Sequence, residues 1–182
     1  ALLSRLIRAE CALLAADTNA DVVATGTSAT FAARLGLLNV RPVAPAVDPD
    51  RGIGRVGELP EPVSLGTLAR ALGALLPATA TGIRVAGDFD AQVSTIALCA
   101  GAGDAYLADP AVVAADVYIT SDLRHHPASE ARENARVGAG AALIDVSHWA
   151  SEWLWLDTAA TELRAQLPGV TIQPRQYTGR LR

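Results

Sequence analysis

Apolar runs of strand length alternate with helical stretches along most of the chain, which predicts a layered α/β fold with mixed sheets. The predicted strands are Cys11–Ala16, Ile83–Ala86, Val93–Cys99, Asp116–Thr120, Ala141–Val146 and Val170–Gln173. Predicted helices run to about Glu10 and over about Thr27–Leu35, Leu65–Leu76, Ala105–Ala108, Ala128–Val137 and His148–Leu167. Helices are therefore expected to cover a sheet.

Proline, glycine and serine mark where these elements end. Pro42 and Pro45 interrupt an extended stretch over Asn39–Val47, so that stretch suits a sheet edge. Ser64 is a plausible N-cap for the helix that Pro77 ends. A glycine-rich segment after the Pro/Asp cluster begins a new unit, which predicts a domain boundary near residue 50.

Composition excludes several classes of protein. Of the 182 residues, 51% are hydrophobic and 19% are charged, so global disorder is excluded. The longest uncharged runs, 71–83 and 91–103, are shorter than the roughly 20 residues that span a bilayer. A net charge of −4, without a stripe of arginines, argues against nucleic-acid binding.

The N-terminal residues and the cysteines suggest what kind of chain this is. The sequence contains no methionine and opens with helical spacing of leucines, so we expect a fragment of a longer protein. Cys11 and Cys99 both adjoin apolar runs, which favours two buried, reduced thiols in a cytoplasmic protein.

The residues that could act in catalysis or bind a metal follow the predicted strands. Asp21 follows the first strand, Asp122 and His126 follow Asp116–Thr120, and His148 follows Ala141–Val146. Ligand sites in open α/β sheets lie outside the carboxyl ends of the strands. We therefore expect these side chains to gather at one edge.

The spacing of His148 and Glu152 adds a metal hypothesis. Four residues apart on a helix, their side chains project from one face and can share one ion or bridge two. Asp21, placed on a loop, can add an oxygen ligand. Mixed imidazole and carboxylate ligands suit Zn, Fe, Mn, Co or Ni better than Ca.

Simpler structural roles remain open for these polar residues. Asp21 could be a turn residue or a helix N-cap, and Asp122 could cap the following helix. His125 suits a helix N-terminus, with Pro127 near the first turn. Gly101 and Gly103 could bind a phosphate, although tight turns are the default interpretation.

The large and the cationic side chains also have two interpretations. Trp149 and Trp153 are four residues apart and are expected to pack in the core or in a subunit interface. Arg51 and Arg55 flank glycines and could touch an anion, although a solvated strand edge is the favoured interpretation.

The motifs taken together resemble the NIF-three-like family, whose members are also described as GTP cyclohydrolase I type 2 homologues. In chain order they are 18–21 (Thr-Asn-Ala-Asp), 52–59, 97–103, 116–126 and 144–152, so the resemblance covers essentially the whole chain. It implies a two-lobed α/β fold with a dinuclear metal site between the lobes, and a toroidal homohexamer. Residues 1–50 would be the C-terminal part of the first lobe, and residues 51–182 the second lobe, closing a shared metal cleft.

The resemblance also implies roles for individual residues. Asp21, His148 and Glu152 match metal ligands of the family, with Glu152 bridging two divalent ions. Asp122 and His126 match the second-lobe motif beside the site. The family's first lobe normally opens with a segment carrying a His-His-Pro metal motif. His125-His126-Pro127 spells the same tripeptide but lies in the second lobe, so it is not that motif. We therefore expect a fragment lacking the first-lobe segment.

Two functions from different classes follow. The first is a metal-dependent hydrolase acting on a nucleotide-like substrate, in which two cations activate a water and His126 or Asp122 moves protons. The second is a non-catalytic metal-binding ring scaffold or regulatory module, which the tryptophan-bearing helix faces fit equally well.

Overall fold

A computed structural model describes residues 2–174 and contains a mixed six-stranded sheet with the order β1-β4-β6-β7-β8-β5. Its strands are β1 (Leu38–Arg41), β4 (Arg55–Ser64), β5 (Arg84–Ala86), β6 (Gln92–Ala102), β7 (Val117–Ser121) and β8 (Ala142–Asp145). The central strands β6, β7 and β8 are parallel, whereas β1 with β4, β4 with β6 and β5 with β8 pair antiparallel. β2 (Ala44–Pro45) and β3 (Gly52–Ile53) form a separate antiparallel pair. The predicted α/β fold with a mixed sheet is confirmed.

Helices cover both faces of this sheet. They are α1 (Leu2–Arg8), α2 (Thr18–Val22), α3 (Thr27–Arg34), α4 (Leu65–Leu75), α5 (Pro110–Val113), α6 (His125–Arg136), α7 (His148–Trp153) and α8 (Leu156–Gln166), with a 3₁₀ turn at Asp104–Tyr106. Among residues 2–174, no helix is both long enough and apolar enough to cross a membrane.

Two hydrophobic clusters lie on opposite faces of the sheet because side chains alternate along each strand. Ile96 and Leu98 of β6 pack with residues of α3, α4 and α7, whereas Ala97 of the same strand packs with α5 and the other face. Tyr118 of β7 is fully buried on that second face. The core therefore holds the parallel strands rigidly in the middle of the fold.

Local signals in the sequence position several elements as predicted. The Ser64 hydroxyl accepts a hydrogen bond from the Thr67 amide at 3.2 Å, which caps α4, and the helix ends two residues before Pro77. β1 lies at the edge of the sheet, as the prolines after it suggest. Gly36, with φ of +71°, follows α3 where a left-handed residue closes a helix.

Three predicted elements are wrong. Cys11–Ala16 is not a strand: no strand pairs with it in the described residues, and Leu14 is 90% exposed. Val170–Gln173 is also irregular rather than a strand. The predicted helix His148–Leu167 is two helices, because the Trp155 amide donates to the Glu152 carbonyl, an i to i+3 bond that ends α7.

The glycine-rich segment after residue 50 gives a long strand that the sequence pattern did not predict. β4 contains Pro60 and Pro62, and its pairing with β6 is irregular between Glu58 and Val63. β1, from before residue 50, pairs with β4, from after it. The division into lobes 1–50 and 51–182 stays a prediction.

The two cysteines differ in environment, so the expectation of two buried thiols is wrong for Cys11, which is exposed. Cys99 is buried, and burial, with a smaller contribution from the negative charge of Asp21, raises the pKa of its thiol to about 11. We expect one thiol to react rapidly with Ellman's reagent at pH 8 in the native protein and both to react in denaturant. Rapid reaction of both native thiols would contradict this placement.

Candidate functional site

The carboxyl ends of the parallel strands bring the predicted site residues together. Gly101 is the next-to-last residue of β6, β7 is followed by Asp122, and β8 is followed by His148 at the start of α7. Since β6, β7 and β8 are neighbours and run in one direction, these residues meet at one edge of the sheet. Asp122 and His148 thus lie together, as expected, whereas their roles as catalytic residue and metal ligand stay predictions.

The imidazole of His148 lies between two carboxylates. Its Nδ1 is 2.7 Å from Oδ2 of Asp122, and its Nε2 is 2.9 Å from Oε1 of Glu152. Both contacts can be hydrogen bonds donated by the ring only when the ring is protonated. Partial burial lowers the pKa of His148, but the hydrogen bond and charge of Asp122 and of Glu152 outweigh it, so the net pKa is raised.

Glu152 is also perturbed by its surroundings. Burial raises the pKa of its carboxyl group, the nearby His148 lowers it, and the negative charges of Asp21 and Asp17 raise it again. The net pKa of Glu152 is raised. The carboxyl group of Glu152 therefore lies within reach of one imidazole, which favours its charged form, and of two carboxylates, which disfavour it.

Asp122 does not cap the following helix, because the N-cap of α6 is Arg124. Its φ is +54°, in the left-handed region that is uncommon for a residue with a side chain. The left-handed turn comes directly after β7, and from there the carboxylate reaches the ring of His148.

Gly101 lies directly against the His148–Glu152 pair. Its φ is +74°, and a Cβ added there would lie 2.5 Å from Oε1 of Glu152 and 3.1 Å from Nε2 of His148. The backbone of β6 thus approaches the pair more closely than any residue with a side chain would allow. This close approach accounts for a glycine at position 101, so phosphate binding is not needed to explain it.

Ser151 fixes this glycine to the helix that carries the pair, a role that the sequence analysis missed. Its fully buried hydroxyl accepts a hydrogen bond from the Gly101 amide at 2.9 Å and donates one to the His148 carbonyl at 2.8 Å. The position of Ser151, three residues after His148 on one helical turn, is the only sequence signal that could have indicated it.

Asp21 lies in α2 rather than on a loop, and it does not cap that helix. Its Oδ1 accepts a hydrogen bond from the Thr27 hydroxyl at 2.8 Å. Asp21 and Glu152 line the same cavity of about 300 Å³. The structure therefore brings together α2 and α7, the helix after β8.

Buried Arg55 holds α2 in this position, so the expectation of a solvated strand edge is wrong for it. Its guanidinium donates hydrogen bonds to the carbonyls of Gly52, Gly54 and Val23 at 2.7, 2.7 and 3.0 Å. Val23 directly follows α2. Arg55 therefore connects the segment carrying Asp21 to the sheet.

The structure leaves His126 outside this group. It is exposed in the first turn of α6, and its ring meets that of His125 edge-on at 5.2 Å. His125 begins α6, as predicted. Within residues 2–174, no hydrogen bond joins His126 to His148, Asp122 or Glu152, and its catalytic role stays a prediction.

The tryptophans lie at the site rather than in the core. Trp149, Trp153 and Trp155 line the cavity that contains Asp21 and Glu152, and Trp149 is 37% exposed.

Within the part of the chain that the structure describes, no group of at least three His, Cys, Asp or Glu side chains converges closely enough to hold a metal ion.

Comparison with known proteins places this arrangement in a family. The profile of the family described as Duf34/NIF3 (NGG1p interacting factor 3) matches residues 1–177. A "GTP cyclohydrolase 1 type 2 homolog" of Streptomyces coelicolor is 45% identical over 161 residues, 87% of this chain and 55% of that protein. The protein so named in Mycobacterium tuberculosis is 52% identical over 127 residues, 70% of this chain and 32% of that protein. The chain thus spans about half of one relative and a third of the other.

Solved structures share the fold. A Bacillus cereus protein related to NIF3 superposes with a TM-score of 0.80 at 19% identity, over 92% of this chain and 71% of that chain. Reduced HcgD from Methanocaldococcus jannaschii superposes with a TM-score of 0.70 at 24% identity, over 91% of this chain and 61% of that chain. At these identities the likeness establishes the fold alone.

Replacing Gly101 with alanine should disrupt the His148–Glu152 pair, because the new methyl group would overlap Glu152 in addition to straining the backbone. Gly138 is the matched control: its φ is +78°, and nothing lies within 4 Å of an added Cβ. We expect Gly138→Ala to lower the free energy of unfolding by about 1–2 kcal/mol, and Gly101→Ala to lower it by more, as measured by urea denaturation. Equal losses would contradict the close packing at Gly101.

Proposed function

Because this chain belongs to the Duf34/NIF3 family, we propose that it forms part of a divalent-metal site and that its function is metal-dependent hydrolysis of a nucleotide-like substrate. The observation that carries the proposal is the His148 imidazole held between Glu152 and Asp122, beside a cavity that also contains Asp21. The name of the two relatives, GTP cyclohydrolase 1 type 2 homolog, supports a nucleotide-like substrate.

Three residues of this chain carry donor groups that suit divalent ions, as part of a larger ligand set. Asp21, His148 and Glu152 would be the ligands, with Glu152 bridging, and this mixture of imidazole and carboxylate suits Zn, Fe, Mn, Co or Ni. The missing Cβ of Gly101 leaves room directly against the two ligand atoms of His148 and Glu152. These two atoms are hydrogen-bonded to each other at 2.9 Å, and this bond would have to break for both of them to bind an ion.

Each protein side chain has a definite task in this proposal. Bound ions would supply a nucleophilic water and polarise the bond under attack. Asp122 accepts a hydrogen bond at Nδ1 of His148, which fixes the ring and directs Nε2 toward Glu152. Asp122 is thus a positioning residue, and His126 remains the proposed proton carrier.

The test of the metal site is the metal content of the purified chain together with calorimetric titration of Zn and Mn. We expect Glu152→Ala to weaken binding more than tenfold, because it removes the bridging ligand. Glu162→Ala, an exposed residue on α8, is the matched control and should bind as the wild type does. Equal affinities of the two variants would remove Glu152 from the site.

The positioning role of Asp122 predicts a smaller effect. Asp122→Asn keeps the size of the side chain but loses the charge that faces Nδ1 of His148, and we expect metal affinity to fall about 10- to 100-fold. The far-ultraviolet circular dichroism should be unchanged. An unchanged affinity would mean that the orientation of His148 does not depend on Asp122.

The second candidate is a non-catalytic metal-binding scaffold or regulatory module that assembles as a toroidal homohexamer. It is favoured by apolar side chains that α1 leaves exposed, including Leu3 at 65% and Ile7 at 76%. Light scattering measures the assembly, and nucleotide turnover by the metal-loaded protein separates the two functions. Stoichiometric metal in a hexamer without turnover would favour the scaffold.

A further inference from the structure

All the tryptophans of the chain line one cavity, although aromatic residues make up only 4% of the sequence. The rings of Trp149 and Trp153 are 5.4 Å apart, with planes inclined at 38°. Trp155 is held by a hydrogen bond from its Nε1 to the Thr25 carbonyl at 3.1 Å. The cavity thus has aromatic walls, one of which is fixed to a distant segment of the chain.

The polar groups of this cavity are mostly hydrogen-bond acceptors. Asp17, Asp21 and Glu152 contribute carboxylates, which only accept when ionised, and the Thr27 hydroxyl already donates to Asp21. Among the described residues that line the cavity, none is an arginine or a histidine. A phosphate group would therefore find no cationic partner there, whereas N–H donors would find several acceptors.

We propose that this cavity binds a planar heteroaromatic ring whose edge carries amino groups, stacked on the indoles and donating to the carboxylates. Stacking on aromatic side chains is how proteins commonly hold bases, and a volume of about 300 Å³ is at the lower end for small-molecule sites. The ring system of a nucleoside, rather than a whole nucleotide, is the moiety that fits this chemistry.

This inference rests on the proposed function, because a ring in the cavity would lie beside the proposed metal ligands. When ions occupy Asp21 and Glu152, the Asp17 carboxylate remains as an acceptor. Asp17 precedes α2 without capping it through its side chain. Asp17 is thus the residue through which ring recognition can be tested without removing a proposed metal ligand.

The experiment uses 2,6-diaminopurine riboside and purine riboside, which share ring and sugar and differ only in amino groups. Quenching of tryptophan fluorescence reports binding directly, since every tryptophan of the chain lines the cavity. Free tryptophan corrects for absorption by the probe. We expect the diamino probe to quench with about tenfold higher affinity than purine riboside, in metal-free and metal-loaded protein alike.

Two variants locate the binding. Trp149→Leu should lower the affinity for the diamino probe about 10- to 100-fold, because stacking is lost. Asp17→Asn should lower the affinity for the diamino probe more than the affinity for purine riboside. Phe89→Leu is the matched control: this aromatic is 43% exposed, packs beside Arg70 and lies outside the cavity, so its affinity should equal that of the wild type. Circular dichroism checks that each variant is folded.

The outcomes separate this inference from the proposed function. Absence of quenching by both probes, or wild-type affinity in Trp149→Leu, would overturn the ring site. Equal affinity for the two ribosides would overturn recognition through amino groups. Ring binding by a chain that takes up no metal would remove the proposed hydrolase and leave the ring site standing, whereas metal uptake without ring binding would overturn the ring site alone.

Discussion

The contacts of the His148 ring with Asp122 and Glu152 constrain the rest of the site. One carboxylate comes from the turn after β7 and the other from the helix after β8, so the ring joins two consecutive β–α connections. This arrangement requires the parallel strands to be adjacent and in register, which the two hydrophobic clusters provide. It also requires a residue without a side chain at position 101, because a Cβ there would overlap Glu152 of α7.

Small residues make this approach possible. Ser151 is fully buried, and its hydroxyl exchanges hydrogen bonds with the backbone on both sides of the contact between β6 and α7. The Thr120 hydroxyl donates to the Gly101 carbonyl from β7. The amide and the carbonyl of Gly101 therefore both have hydrogen-bond partners within the protein. The backbone that lies against the ring of His148 is thus held in place. Rigid support is what holds metal ligands and reacting groups in a fixed geometry.

The sequence predicted the central strands well, because β6, β7 and β8 are apolar runs bounded by glycine or polar residues. Cys11–Ala16 has the same composition, but a strand also needs a partner, and the pattern of one segment cannot supply that information. β4 escaped prediction because glycines and prolines conceal its pairing. The pairing of His148 with Glu152 followed from helical spacing. Its contact with Asp122, 26 residues away, depends on the order of strands in the sheet.

Arg55 gives the site a property that its titratable members lack. Burial lowers the pKa of Arg55, but an arginine starts from so high a pKa that it is charged at neutral and acidic pH, and its three acceptors here are uncharged carbonyl groups. Acid can protonate the imidazole and the carboxylates, yet the attachment of Asp21's helix to the sheet has no group that gains a proton in that range. The two walls of the cleft should consequently keep their separation while the chemistry between them changes.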